Sequence, residues 1–282
     1  MTVPPSSALA AVIEALGKQE VPLEIPEAAR AEPNMDAASL LNLLAQASPA
    51  VREAVTIGEC TATECCTCHQ VYEQEATNTC VEVDVSAPKT LALHGGLRFA
   101  CEPEQFGDEA NPVYECGEAC KKPQAALRRV HPCAPWPSRL FIILRRYTFD
   151  FTLGSWKKGM HRVTFPSRLD LAAMCEAPLG TPPAPGYSLL GAVVHTGPST
   201  FSGIYSYEKA LENLARVGLD DSGTVQDVSC PGGATPLILV YGKDGFADTS
   251  AGFGDVASSM AESTGRASGS RRSTSTCGCS VM

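Results

Sequence analysis

Apolar positions along this chain follow two periods. Between Ser7 and Leu16, Leu9, Val12, Ile13 and Leu16 recur at i, i+3, i+4 and i+7, one face of an amphipathic helix. Ser6 or Ser7 can cap its start and Gly17 its end. A second helix is predicted from about Asp36, a good N-cap, through Leu40, Leu41, Leu43 and Leu44. From Pro137 the period falls to two. Leu140, Ile142 and Leu144 share one face, Phe141 and Ile143 the other, so the spacing predicts a strand covered on both sides. A turn is predicted from Leu153 to Gly159. The uncharged run Leu189–Val194 ends in His195-Thr196-Gly197, and Ser202–Tyr207 follows a short Pro-Ser-Thr segment. Short apolar runs bounded by Gly and Pro are buried strands more often than helices, which predicts two strands joined by a loop. A short helix is predicted over Glu208–Val217 and a last strand over Pro236–Gly242. Beyond Lys243, Gly, Ala, Ser and Thr dominate and no period survives, so too little apolar surface remains to offset ordering, and a disordered tail is predicted. The class is α+β.

At 282 residues, one or two domains are expected. A net charge of -9 argues against nucleic acid as a partner. No window approaches the roughly 18 apolar residues of a membrane span, and the N-terminus has neither the basic start nor the apolar core of a secretory signal. The thirteen cysteines are therefore expected as thiols or metal ligands more than disulfides, in a cytoplasmic or nuclear protein. Two close pairs stand out: Cys65-x-x-Cys68, within the run Cys60 to His69, and Cys116-x-x-x-Cys120 far downstream. Pairs on turns can aim four thiolates at one tetrahedral zinc. Cys66 or His69 can replace a ligand, and cysteines kept as small hydrophobes are the alternative.

Several segments resemble the ubiquitin-specific proteases, papain-like cysteine peptidases that remove ubiquitin. Asn34 to Leu44 is loosely similar to a thumb helix of that family. Tyr114-Glu115-Cys116, followed by Lys121, Lys122, Ala125 and Ala126, resembles the second cysteine pair of its fingers, with Cys80–Val85 as a finger strand and Gly107-Asp108 upstream. Pro137 to Asp150 resembles the family's "P-x-x-L-x-I-x-L-K-R-F-x-x-D" strand, with Arg145 for Lys and Tyr147 for Phe. Lys158 to Pro166 resembles its "K-x-x-x-x-V-x-F-P" strand, Leu169-Asp170-Leu171 the sequel, and Pro236–Gly242 the final strand. Tyr187–Tyr207 resembles the box that carries the catalytic His. In that box the triplet Gly-His-Tyr is here Gly203-Ile204-Tyr205.

The resemblance implies an antiparallel palm sheet, zinc-ribbon-like fingers and a partial helical thumb, with 1–55 as thumb, 56–242 as fingers and palm, and 243–282 as tail. It maps the third triad member onto Asp220, with Asp221 its polar neighbour; without the family, Asp-Asp-Ser-Gly is a plain turn. No Gly-Asn-Thr-Cys nucleophile box occurs, and the chain is expected to begin partway through the thumb. Ile204 cannot take up a proton, and loss of one triad member costs several orders of magnitude in rate. His195, at the far end of the loop, is not expected to replace it. His195, Gly197, Gly203 and Tyr205 would line a groove for the ubiquitin tail. The function expected is therefore an inactive, ubiquitin-binding relative of the deubiquitinases, partnered by ubiquitin or ubiquitinated proteins, with structural zinc on Cys65, Cys68, Cys116 and Cys120. The alternatives are an active deubiquitinase whose Cys box lies outside this chain, and a zinc-ribbon adaptor. The end, Cys279-Ser280-Val281-Met282, fits a prenylation pattern, with Cys277 as a palmitoyl site and a membrane surface as further partner; a chance Cys is the plain reading.

Overall fold

The structure, a computed structural model, describes residues 7–17, 37–85, 92–108, 110–117, 120, 122–159, 163–171, 184–199, 202–209, 224–226 and 234–245. Helix α1 (Ser7–Leu16) starts and stops where the periodicity places it. Its buried residues are Ala8, Ala11, Val12, Ala15 and Leu16, so mostly small side chains meet the sheet beneath. Gly17 closes it at φ 78°, its N–H donating to the Glu14 carbonyl at 3.0 Å, a left-handed ending that glycine adopts without strain. Helix α2 (Ala37–Ala47) buries Leu40, Leu41 and Leu44. The chain then turns at once into α3 (Pro49–Val55), with Ser48 as N-cap: its Oγ accepts from the Val51 N–H at 3.4 Å, and Pro49 occupies the first turn, where no N–H is needed. Arg52 donates to the carbonyls of Ala45 and Gln46 at 3.0 and 2.8 Å, satisfying the end of α2.

Two larger sheets follow. The first joins β1 (Ile57–Cys65), β2 (Val71–Asn78), β4 (Glu104–Phe106) and β5 (Ala126–Cys133) in the antiparallel order β2-β1-β5-β4. Gly58 lets β1 pass close to the chain leaving β5: a Cβ there would run into the Ala134 carbonyl. The second sheet has the order β10-β11-β14-β6-β3, with β12 added to β11; its strands are β3 (Val81–Asp84), β6 (Arg139–Arg145), β10 (Arg168–Asp170), β11 (Gly186–Ser199), β12 (Ser202–Lys209) and β14 (Ala234–Lys243). Two short pairs complete the strands: β7 (Tyr147–Asp150) with β8 (Ser155–Lys158), and β9 (Thr164–Pro166) with β13 (Thr224–Gln226).

The second sheet is covered on both faces, as the unbroken apolar wording of β6 requires. Phe141, Val193, Ile238 and Val240 pack with α1, α2 and α3 on one face. Leu140, Ile142, Leu144, Leu239 and Tyr241 pack on the other with Phe165, Leu169, and Leu93 and Leu97 of α4 (Leu93–Cys101).

Some expectations are corrected. Cys80–Val85 is no finger strand: Val81–Asp84 runs parallel to β6 in the second sheet. Val83 and Val85 are fully buried in the core cluster with Leu140, Ile142 and Leu144 of β6. The stretch Leu153–Gly159 is more than a turn, since Ser155–Lys158 returns to pair with β7. Glu208 begins no helix but lies in β12, and 210–217 is outside the described residues. Cys101 is disulfide-bonded, against the expectation of thiols. The predicted tail also lies outside the described residues.

Candidate functional site

Among the described residues, chemistry-bearing side chains gather in two places. In the first sheet, β1 ends at Cys65 in a tight turn, with the His69 N–H donating to the Cys65 carbonyl at 3.0 Å and His69 at φ 57°. A second loop is closed by Tyr114 and Gln124, whose backbones exchange hydrogen bonds at 2.9 and 2.8 Å. Gly117 in that loop takes φ 70°, letting the chain bend directly after Cys116. Thr67 donates to the Gln124 side chain at 2.6 Å and ties the loops together. The result brings the sulfurs of Cys65, Cys68, Cys116 and Cys120 within 4.8 Å of one another. Cys65 and Cys120 are 3.9 Å apart, and Cys68 and Cys116 3.2 Å.

Tetrahedral zinc with Zn–S of about 2.3 Å separates its sulfurs by about 3.8 Å, so these four fit. Their electrostatics fit as well. The Cys65 thiol is held down to about 6 by the Cys68 backbone N–H, burial opposing, with the Thr67 N–H adding to the effect. The Cys116 thiol is pushed up, first by its hydrogen bond to Cys68, and Cys120 is pushed up to about 11, first by burial. Sulfurs this close cannot all ionise on their own, whereas a divalent cation lets them. Cys66 is exposed and outside the cluster, and His69 is turned to Glu64 at 3.0 Å, so neither replaces a ligand.

The second place is the tip of the β11–β12 hairpin. His195 stands opposite Tyr205, and Thr196 opposite Ile204, before the register breaks between Thr196 and Ser199. Alternation therefore turns His195 and Tyr205 to one face and Thr196 and Ile204 to the other. Ile204 is 65% exposed, whereas His195 is fully buried. The His195 ring packs against Tyr205 with centroids 4.7 Å apart and against Tyr147 at 6.3 Å. Its Nδ1 faces the Tyr147 hydroxyl at 3.1 Å and the Lys158 ammonium at 3.0 Å. Lys158 has only donors, so Nδ1 accepts and Nε2 carries the hydrogen. Among the described residues that Nε2–H has no partner. Burial, then the Lys158 charge, push the imidazole down to about 4. A base this weak, aimed inward with its lone pair occupied, cannot serve a thiol at the surface.

Of the groove residues read from the sequence, Gly197, Gly203 and Tyr205 lie at this tip with His195, but the imidazole sits beneath the surface. Asp220, Asp221, Cys277 and Cys279 lie outside the described residues. Cys60, Cys80 and Cys133 have thiols pushed up by burial, Cys80 to about 11, and none is activated. The sequence reading missed Tyr147 and Lys158 as partners of His195. One signal was there: a hydroxyl at a strand position where the family pattern has Phe asks for a buried partner.

The family model described as "Ubiquitin carboxyl-terminal hydrolase" matches residues 36–241. Among solved structures, the chain is similar to the SAGA Ubp8/Sgf11/Sus1/Sgf73 DUB module bound to ubiquitin aldehyde, with a TM-score of 0.55 and 20% identity over 74% of this chain and 49% of that chain. It is similar also to the same module with an Ubp8 variant bound to monoubiquitin, with a TM-score of 0.52 and 19% identity over 74% and 48%. At such identity the likeness is one of fold. The chain spans about half the length of the solved structures that it matches. No curated protein matches.

Proposed function

The chain belongs to the ubiquitin carboxyl-terminal hydrolase family, and we propose that it acts as a ubiquitin-binding module that does not hydrolyse ubiquitin conjugates. One observation carries this reading. At the hairpin tip Ile204, which the sequence resemblance aligns with the family's catalytic His, is a solvent-exposed isoleucine, and the neighbouring imidazole is buried with its Nδ1 facing the Lys158 ammonium and the Tyr147 hydroxyl. Isopeptide cleavage needs a group that takes a proton from the attacking thiol and returns it to the leaving amine. Isoleucine does neither.

Binding is a separate matter. The second sheet and the first sheet are both built, and the tip offers Gly197, Gly203 and Tyr205 for an extended peptide. Cys65, Cys68, Cys116 and Cys120 would hold a structural zinc that fixes the two loops of the first sheet; it would supply rigidity there and no chemistry at the tip. A titration of labelled protein with ubiquitin, followed by NMR, tests the binding: shifts at the hairpin tip and the two sheets are expected, and none at millimolar protein would favour an adaptor without ubiquitin contact.

The second reading, an active thiol-dependent deubiquitinase completed by sequence outside this chain, draws support from the partial coverage of the solved structures. A ubiquitin propargyl probe separates it, since covalent labelling requires a working thiol.

A further inference from the structure

We propose that Tyr147 and Lys158 are positioning residues, which fix the tip of the β11–β12 hairpin by gripping His195 from the base of a second hairpin. Tyr147 and Lys158 are cross-strand partners, the first residue of β7 and the last of β8. Both reach the same nitrogen of His195. Lys158 does more. Its ammonium has three N–H groups, and they meet three acceptors at the tip: His195 Nδ1 at 3.0 Å, the His195 carbonyl at 2.9 Å and the Gly197 carbonyl at 3.1 Å. The two carbonyls flank Thr196, where the ladder between β11 and β12 loses register. A cation thus stands where the strand pairing weakens, and it holds the segment next to Ile204.

The grip is anchored from behind. The neighbouring Arg146, almost fully buried, donates to the Pro236 carbonyl at 2.8 Å and to the Gly159 carbonyl at 3.3 Å, tying both ends of the β7–β8 unit to β14. The His195 ring passes the restraint on to Tyr205 through ring contact. Toward the far end of the β7–β8 hairpin Phe151 and Trp156 are exposed by contrast. Its base is where the hairpin acts on the tip.

The role in ligand binding rests on the ubiquitin-tail contact proposed above; the grip itself does not. The Tyr147→Phe variant removes only the hydroxyl, and Lys158→Met removes only the cation. In the parent chain, imidazole nitrogen NMR shifts should report Nε2 protonated and Nδ1 accepting, and Tyr147→Phe should move the Nδ1 signal. In Lys158→Met the amides of residues 194–197 and 204–206 should exchange about tenfold faster, the size expected when one buried partner is lost, with β6 and β14 unchanged. Ubiquitin affinity should fall about three- to tenfold, and the fall should vanish for ubiquitin lacking its C-terminal tail. Uniformly faster exchange in every strand would mean plain loss of stability, and unchanged exchange at the tip would mean no grip; either overturns the proposal. A loosened tip with unchanged ubiquitin affinity overturns the positioning role. Should the parent itself not bind ubiquitin, the reading of the previous subsection fails, while amide exchange still decides the grip.

Discussion

The four-cysteine cluster and the β11–β12 tip differ in what their side chains can do. At the cluster four cysteines gather their sulfurs within 4.8 Å of one another, a spacing that fits a dication. At the tip the ladder pairs Thr196 with Ile204, and the exposed Ile204 is a hydrocarbon that can neither take nor give a proton. The nearby imidazole is spent on holding structure. A fold can keep the parts that stabilise it while the parts that only served chemistry drift, because stability and catalysis draw on different residues. On the proposed reading, the cluster belongs to the first kind and Ile204 to the second.

The largest effect is expected at the cluster. Structural zinc is worth on the order of 10 kcal/mol in small zinc domains, so Cys116→Ser should abolish metal content and unfold β1, β2 and β5 locally. Metal analysis beside amide exchange reads this out; equal zinc in variant and parent would remove the cluster from the comparison.

A smaller effect is expected at the tip, through pH. His195 titrates near 6.5 when unfolded and is pushed down to about 4 when folded, so the unfolded chain takes up the proton first as pH falls. The stability that a neutral His195 contributes is whole above about 6.5 and is lost as pH drops towards 4, up to about 3 kcal/mol. Among the described residues, the charged and polar groups seen against the ring are Lys158, Tyr147 and Tyr205. Denaturant unfolding across that window should show the slope, and His195→Gln should flatten it while lowering stability at neutral pH. A slope that persists in the variant would place the titration elsewhere.

The smallest effect sharpens the contrast most. Ile204 is exposed, so Ile204→His should change stability by no more than about 0.5 kcal/mol in a thermal melt. A large loss would show that Ile204 is held for packing.

Much of this was legible in the sequence, for local reasons. The bounds of α1 and the two-faced burial of β6 follow from periodicity, and the cysteine pairs from spacing alone. Sheet membership was not legible. Val81–Asp84 alternates like any half-buried strand, and nothing local says that it runs beside β6 and not β1, because that choice is made by packing among distant residues. The stretch Leu153–Gly159, which holds β8, was read as a turn because Leu153 and Trp156 are exposed and carry no core pattern. His195 was legible as a residue but not as a buried one, since its partners are supplied by a hairpin 37 and 48 residues away.

We propose that the tip binds without catalysing. Purified protein incubated with a fluorogenic ubiquitin C-terminal amide, with and without a thiol-alkylating agent, tests it most directly. The prediction is release at the rate of buffer alone in both samples. Release well above that rate, abolished by alkylation, would contradict it.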